Sequence, residues 1–327
     1  MKNPLVRYIL SAVARYGIPT DALLADWRAA EGLAASKEPA SDDLAPLFRA
    51  MARLRPGDPD LGLHVGEQIA MHAFNPVIYL ALSSTSLSRS IGATIRFAEV
   101  LEGRASKLWT RQRGDVQVIG WGSLSPDTED RHHHEFIAVG LVRAFAFLCD
   151  PPPALAAARF QHDHPGDTTE HERILGCTPT FGHLEHSALM VPMSAWTGKT
   201  VHADPEMAAL HEAMLERAQT RLRDADAVRR ARAEIRPRLS TGAPLAEVAR
   251  SIGMSNRSLQ RRLSEAGTTY RQLVDDTRRT EVLRLLEHTD ASIEAVALTT
   301  GFTDPSSLHR AFHRWTRTTP ARWRARA

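Results

Sequence analysis

Cysteine is scarce: Cys149 and Cys177 are the two in 327 residues. Two thiols cannot build a disulfide framework or an all-cysteine zinc site. Long apolar runs are missing too. No stretch of about 18 apolar residues occurs, so no membrane span is expected. Leu5, Val6, Ile9 and Leu10 are interrupted by Arg7 and Arg15. No small-residue cleavage site follows, which argues against a secretory signal. No Gly-rich phosphate loop is present, and no cofactor is expected. Net charge is small as well, with 41 Lys and Arg against 38 Asp and Glu, or +3. What is there is ordinary: 43% hydrophobic and 24% charged residues exclude wholesale disorder. The length favours two domains, at roughly 100–200 residues each. The composition points to a cytoplasmic protein.

The small total charge conceals a division. All four lysines (Lys2, Lys37, Lys107, Lys199) lie in the first two thirds of the chain. Residues 228–327 hold 19 Arg and no Lys against 10 acids, a net charge of +9, while residues 1–227 carry −6. A basic module of a hundred residues suits a polyanionic partner.

That module repeats. Pro244-Leu245-Ala246-Glu247-Val248-Ala249 aligns with Ser292-Ile293-Glu294-Ala295-Val296-Ala297 at an offset of 48. The alignment continues through Gly253/Gly301, and one insertion then shifts it to 49 for Leu259/Leu308, Arg261/Arg310 and Leu263/Phe312. Each copy reads as a short amphipathic helix, a Gly turn, a capping side chain and a second helix. Ser255 suits the N-cap in the first copy; Thr303 or Asp304 does in the second, with Pro305 at the first helical position. Helix, Gly turn, helix is the helix-turn-helix pattern, whose second helix can enter a major groove. The outward residues are Asn256, Arg257, Gln260 and Arg261, then Ser306, His309, Arg310 and Arg314. Arg suits a bidentate contact to guanine and Gln one to adenine. Tyr270 to Leu286 reads as a connecting helix, whose Arg278, Arg279 and Arg284 are solvated or touch phosphates. Such a helix could hold the recognition helices about 34–36 Å apart on double-stranded DNA.

At these residues the chain resembles the AraC/XylS family of bacterial transcription regulators. The resemblance covers residues 228–327 and includes Gly253-Met254-Ser255, Leu259-Gln260-Arg261-Arg262-Leu263, the run Gly301-Phe302-Thr303-Asp304-Pro305-Ser306-Ser307-Leu308-His309-Arg310-Ala311-Phe312, and Trp315, Thr319-Pro320 and Arg322. It implies seven helices, with Arg257, Gln260, Arg261, Ser306 and Arg310 as base readers and RNA polymerase as a partner. Activation rather than repression is expected on this resemblance. Pro244 departs from the family's Ser or Thr cap.

Residues 1–220 carry weaker signals. Helices are expected at 5–15, 22–30, 43–54 and 135–148, the last stopped by Pro151-Pro152-Pro153, and a hairpin at 107–121 around Gly114-Asp115. Asp60-Leu61-Gly62-Leu63-His64-Val65-Gly66, Leu80–Leu87, Phe160-x-His162 and Gly176-Cys177-Thr178-Pro179-Thr180-Phe181 resemble the arabinose-binding N-terminal domain of ornithine- and virulence-type regulators. That resemblance implies a small-molecule sensor or a homodimerising domain, not an enzyme. The expected fold is mainly α, with an α+β N-terminal regulatory domain and an all-α C-terminal domain of two helix-turn-helix units joined by a linker helix. The expected domains are 1–215 for effector sensing and dimerisation, 216–227 as helical linker, and 228–327 for DNA binding.

Rival sites are weak. His132-His133-His134 precede Glu135, but successive helical residues point about 100° apart and three imidazoles cannot converge on one ion. His132 and Glu135 alone are not a metal site, and no metal is expected. His183 and His186 have similar spacing in a loop. His162 and His164 flank Asp163 as a polar turn. Gly120-Trp121-Gly122-Ser123 lacks the nucleophile elbow of a hydrolase. Cys149 ends an apolar helix, where an inert thiol is commoner than a redox sensor. The alternatives are a ligand-independent DNA-binding protein, or an enzyme domain with a DNA-binding tail, which would need more cysteines.

Overall fold

The computed structural model describes residues 4–30, 32, 44–70, 76–102, 108–122, 130–182 and 185–325. Contacts divide the chain into two units after Glu216.

The first unit opens with α1 (Pro4–Arg15), α2 (Thr20–Ala30), α3 (Ala45–Leu54) and α4 (Leu61–Glu67). Their apolar faces close around Leu23, Trp27, Phe48 and Met51, joined by Phe136 of α8 (Arg131–Leu148). Each such burial contributes about 1.5–3 kcal/mol before chain entropy is counted. Helix α4 lies directly on α8, because a Cβ on Gly62 would stand 2.3 Å from the His132 carbonyl oxygen. Helix α8 begins four residues before the apolar stretch that marks it in sequence. The Asp130 carboxylate accepts the His132 amide and caps the first turn.

Helices α5 (Pro76–Ser83), α6 (Leu87–Arg96) and α7 (Ala98–Glu102) lead to a five-stranded sheet. Its strands are β1 (Trp109–Arg113), β2 (Val116–Trp121), β3 (Ala157–Phe160), β4 (Thr180–Phe181) and β5 (Ser187–Pro192), in the order β1-β2-β5-β3-β4. Only β3 and β4 run parallel. The expected hairpin is β1-β2, with residues 114–115 as its turn. Val116 and Val118 alternate with polar residues in sequence, yet β2 is central. It pairs with β1 and β5, and Val118 and Ile119, on opposite faces, are both buried. Leu141, Phe145 and Leu148 of α8 pack over Ile119, Phe160, Leu189 and Val191. Helices α9 (Thr169–Leu175) and α10 (Met193–Thr197) complete the layer.

The 31-residue α11 (Pro205–Ile235) carries the chain past Glu216. After it come a 3-10 turn (Arg236–Thr241), α12 (Leu245–Ser251), α13 (Asn256–Glu265), α14 (Tyr270–His288), α15 (Ile293–Thr299), α16 (Pro305–Thr316) and α17 (Pro320–Arg324). The described part of the second unit is all helical. It holds two apolar clusters. One joins Ala231, Ile235 and Leu239 to Val248, Ala249, Leu259, Leu263 and Leu273. The other joins Val282 and Leu286 to Val296, Ala297, Leu308 and Phe312. Aligned repeat positions therefore occupy equivalent core sites, and α14 supplies a wall to both clusters. No helix among the described residues is long and apolar enough to cross a membrane.

Candidate nucleic-acid interface

Both helix-turn-helix copies are assembled by local chemistry at the expected positions. Gly253 and Gly301 turn the chain at φ +71° and +78°, a conformation that costs a residue with a Cβ roughly 1–2 kcal/mol. Ser255 Oγ accepts the Ser258 amide at the start of α13, and Asp304 accepts the Ser307 amide at the start of α16, with Pro305 at the first helical position. Leu259 and Leu263, like Leu308 and Phe312, face inward. The opposite faces carry Asn256, Arg257, Gln260 and Arg261 on α13, and Ser306, His309, Arg310 and Arg314 on α16; all eight are exposed. The first copy lacks a side-chain cap on α12, where Pro244 stands, whereas Ser292 Oγ accepts the Ala295 amide to cap α15.

These exposed groups differ in how they are held. Arg261 pairs with Glu265 on its own helix at 3.1 Å, an exposed pair worth a few tenths of a kcal/mol, which DNA can displace. Arg310 donates to Ser307 Oγ at 3.0 Å. Arg314 is held more loosely: it lies 3.6 Å from Asp275 of α14, which also accepts from Trp315 Nε1 at 3.4 Å. Among the described residues the Arg257 guanidinium makes no hydrogen bond or ion pair. Asp304 is held down at about 2 by the hydroxyl and amide of Ser307, so the cap of α16 is ionised at neutral pH.

Two of the linker arginines are engaged by groups of the protein itself. Arg278 donates to the Thr300 carbonyl at 2.8 Å and lies over the Phe302 ring. Arg284 pairs with Glu281, which Arg236 also contacts. Arg230 of α11 makes the contact equivalent to that of Arg278 in the first copy, donating to the Ile252 carbonyl at 2.9 Å. Residues 230 and 278, like 252 and 300, differ by the same 48, so the repeat includes the preceding helix. That signal was present in the sequence and marks the arginines that close each helix end rather than face outward. Arg262 turns inward to Asp224 at 3.1 Å.

The first unit holds a buried ionic cluster that sequence spacing did not reveal. Arg131 donates to Asp60 at 2.7 Å and to Glu135, and His171 Nε2 is 3.0 Å from Glu135. Burial opposes ionisation of Glu135, but His132, His171 and Arg131 hold it at about 2. Asp60, Glu135 and His171 place candidate ligand atoms within 4.8 Å of one another. The Arg131 guanidinium already occupies the position between the two carboxylates, which supplies their countercharge. The three successive histidines diverge. His132 Nδ1 accepts the Gly62 amide, His133 stacks on Phe48, and His134 Nδ1 lies in hydrogen-bond contact with the Ser187 hydroxyl at 2.8 Å. His162 is tied to the Asp163 carbonyl, and burial lowers it to about 4; its Nε2 has no hydrogen-bond partner among the described residues. His186 stands edge-on to Trp109, while His183 and Ser123 lie outside the described residues. Cys149 and Cys177 are half-buried and burial raises both thiols, which disfavours the thiolate.

Comparison with known proteins agrees with this architecture. The family model for the arabinose-binding domain of AraC transcription regulators, N-terminal, matches residues 17–197, and a helix-turn-helix domain model matches residues 248–326. The chain belongs to the AraC family of transcription regulators and is a DNA-binding protein. It is 27% identical over 270 residues to the ornithine utilization regulator of Pseudomonas aeruginosa, covering 82% of this chain and 79% of that one. It is 26% identical over 277 residues to the HTH-type transcriptional regulator VirS of Mycobacterium tuberculosis, with the same coverage of each. The crystal structure of the transcriptional regulator CdpR from Pseudomonas aeruginosa is 20% identical, with a TM-score of 0.45, over 93% of this chain and 96% of that one.

Proposed function

We propose that the chain is a cytoplasmic, non-enzymatic activator that reads a specific promoter through both copies of its repeat. Asn256, Arg257, Gln260 and Arg261 address one stretch of major groove, and Ser306, His309, Arg310 and Arg314 another. Contact with RNA polymerase follows promoter binding. The observation that carries this reading is the repeated inside-out pattern: aligned apolar positions are buried in both copies, while aligned polar and basic positions are exposed. Residues 1–215 act as the sensing and dimerising domain, and residues 216–227 as the link to the DNA-binding domain at 228–327. A small-molecule effector changes DNA occupancy by binding one conformation of the chain better than another.

Selection of bound sequences from a random duplex pool tests the reading. The expected result is a two-part motif whose affinity falls steeply with salt, since each phosphate neutralised by Arg releases counterions. A flat sequence preference would support a ligand-independent, nucleoid-type binder instead.

A further inference from the structure

Within the first unit, α5, α6 and the first two turns of α11 enclose a cleft of about 410 Å³. Its floor is apolar. Leu80 and Phe97 are buried there, in a cluster completed by Val77 and Leu215. Ser84 and Thr85 stand at one end. Three charged residues line it, Arg89, Arg96 and Glu212, and two of them are engaged with each other. Arg96 pairs with Glu212, reaches Glu216 at 2.6 Å, and lies 4.8 Å over the Phe97 ring. The Arg89 side chain is exposed and has no ion-pair or hydrogen-bond partner among the described residues. The cleft therefore offers an apolar floor with one unpaired guanidinium on its rim.

We propose that this cleft is the effector site, and that it takes a small carboxylic acid with an apolar body. The proposal rests on the reading of the first unit as a sensor and assigns that function a place and a ligand class. The carboxylate meets Arg89, and the body covers Leu80 and Phe97. The volume suits a body of roughly six to ten carbons, at the small end of ligand pockets. A polyol would leave its hydroxyls against apolar side chains, with Ser84 and Thr85 as the neutral polar partners. A cation would meet Arg89 unfavourably. Gly92, on the cleft wall, has nothing within 4 Å of a Cβ placed on it, so the open volume begins at its Cα. The wall opposite α6 is Pro205, Ala208, Ala209 and Glu212. These belong to α11, the helix whose other end contributes Ala231 and Ile235 to the first helix-turn-helix core. An occupant that bridges α6 and α11 thus acts on the segment leading to the DNA-binding repeat.

The test uses the full chain, with hexanoate and phenylacetate as probes and hexanol and hexylammonium as controls, read by calorimetry and thermal shift. At least one acid should bind saturably and raise Tm, while both controls bind at least tenfold more weakly. Arg89→Gln should weaken acid binding tenfold or more. Gly92→Leu should abolish it by filling the cleft, with an unchanged circular-dichroism spectrum, since leucine favours a helix over glycine. Binding of neither acid at millimolar concentration, equal binding of hexanol, or acid binding that survives Gly92→Leu would overturn the assignment. Both variants should bind DNA like the wild type in the absence of acid. Arg261→Ala and Arg310→Ala should keep acid binding while losing DNA. Failure of the acid-binding set while Arg261→Ala and Arg310→Ala still lose DNA removes the cleft assignment and leaves the regulator reading intact.

Discussion

The two helix-turn-helix copies share one design but different surroundings. In both, a glycine turns the chain between the helices and an arginine 22 residues upstream of the first helix's last carbonyl closes it, Arg230 on Ile252 and Arg278 on Thr300. Around Gly253 a Cβ would find open space, whereas around Gly301 it would stand 2.0 Å from the Leu239 carbonyl oxygen. The second copy's turn is thus pressed at its glycine against the 3-10 turn that precedes the first copy, whereas the first copy's glycine has open space beside it. Identical local chemistry can therefore carry very different tertiary weight.

The largest expected effect tests that asymmetry. Gly301→Ala should cost about 3–5 kcal/mol in urea denaturation, combining left-handed strain with a collision against backbone. Gly253→Ala should cost about 1–2 kcal/mol, from strain alone. Equal costs would show that the Leu239 contact does not hold the second turn.

Next come the reading helices. Arg261→Ala and Arg310→Ala should each lose about 1–3 kcal/mol on the selected site and relax base preference only in their own half of it. Stability should change by less than about 0.5 kcal/mol, because both side chains are exposed. Loss of the same size on random duplex would reduce both residues to phosphate contacts and erase the distinction between the halves.

The helix starts give smaller differences. Ser292→Ala should destabilise the second copy by about 1 kcal/mol, while Pro244→Ser should stabilise the first by up to about the same amount by supplying the missing cap. No gain from Pro244→Ser would mean that proline's restriction of the unfolded chain offsets the absent hydrogen bond.

The smallest effect is a difference in acid response. The caps of the recognition helices are Ser255, which does not titrate, and Asp304, held at about 2 against an ordinary 3.8. The depressed value means the Asp304 contribution is complete above pH 3.8 and is lost as pH falls toward 2. Amide exchange in the first turn of α16 should therefore quicken over that window relative to α13. In Asp304→Ser the two helices should respond alike; a response unchanged by that substitution would place its origin elsewhere.

Much of this architecture was legible in the chain because it is written at short range. Helical spacing marked Val248 and Ala249 as the inner face of one helix and Leu259 and Leu263 as that of the next, with their partners repeating this in the second copy, and the reading side chains opposite Leu259 and Leu263 are exposed. The capping of α16 by Asp304 was one of two local options. The linker arginines were harder. Arg278 and Arg257 are the same residue type in the same basic module, yet Arg278 closes a helix end and Arg257 faces solvent. Only the 48-residue offset to Arg230 hinted at the difference. In the first unit, the sequence marked β2 as a hairpin strand but not as a central one, because alternation reports only on one strand at a time. Its burial depends on β5, which enters from residues 187–192.

The sequence by itself determined the repeat, the basic and acidic division of the chain, the helix order within the repeat, and the outward residues of α13 and α16. Those properties depend on periodicity, caps and charge within a few turns of helix. Tertiary structure alone decided that Arg131 would bridge Asp60 and Glu135, that β2 would be central, and that Gly301 would be pressed against Leu239. It also opened the cleft between α6 and α11 with Arg89 unpaired at its rim. Each of these joins residues tens of positions apart, where electrostatics and packing act through space and leave no periodic trace along the chain.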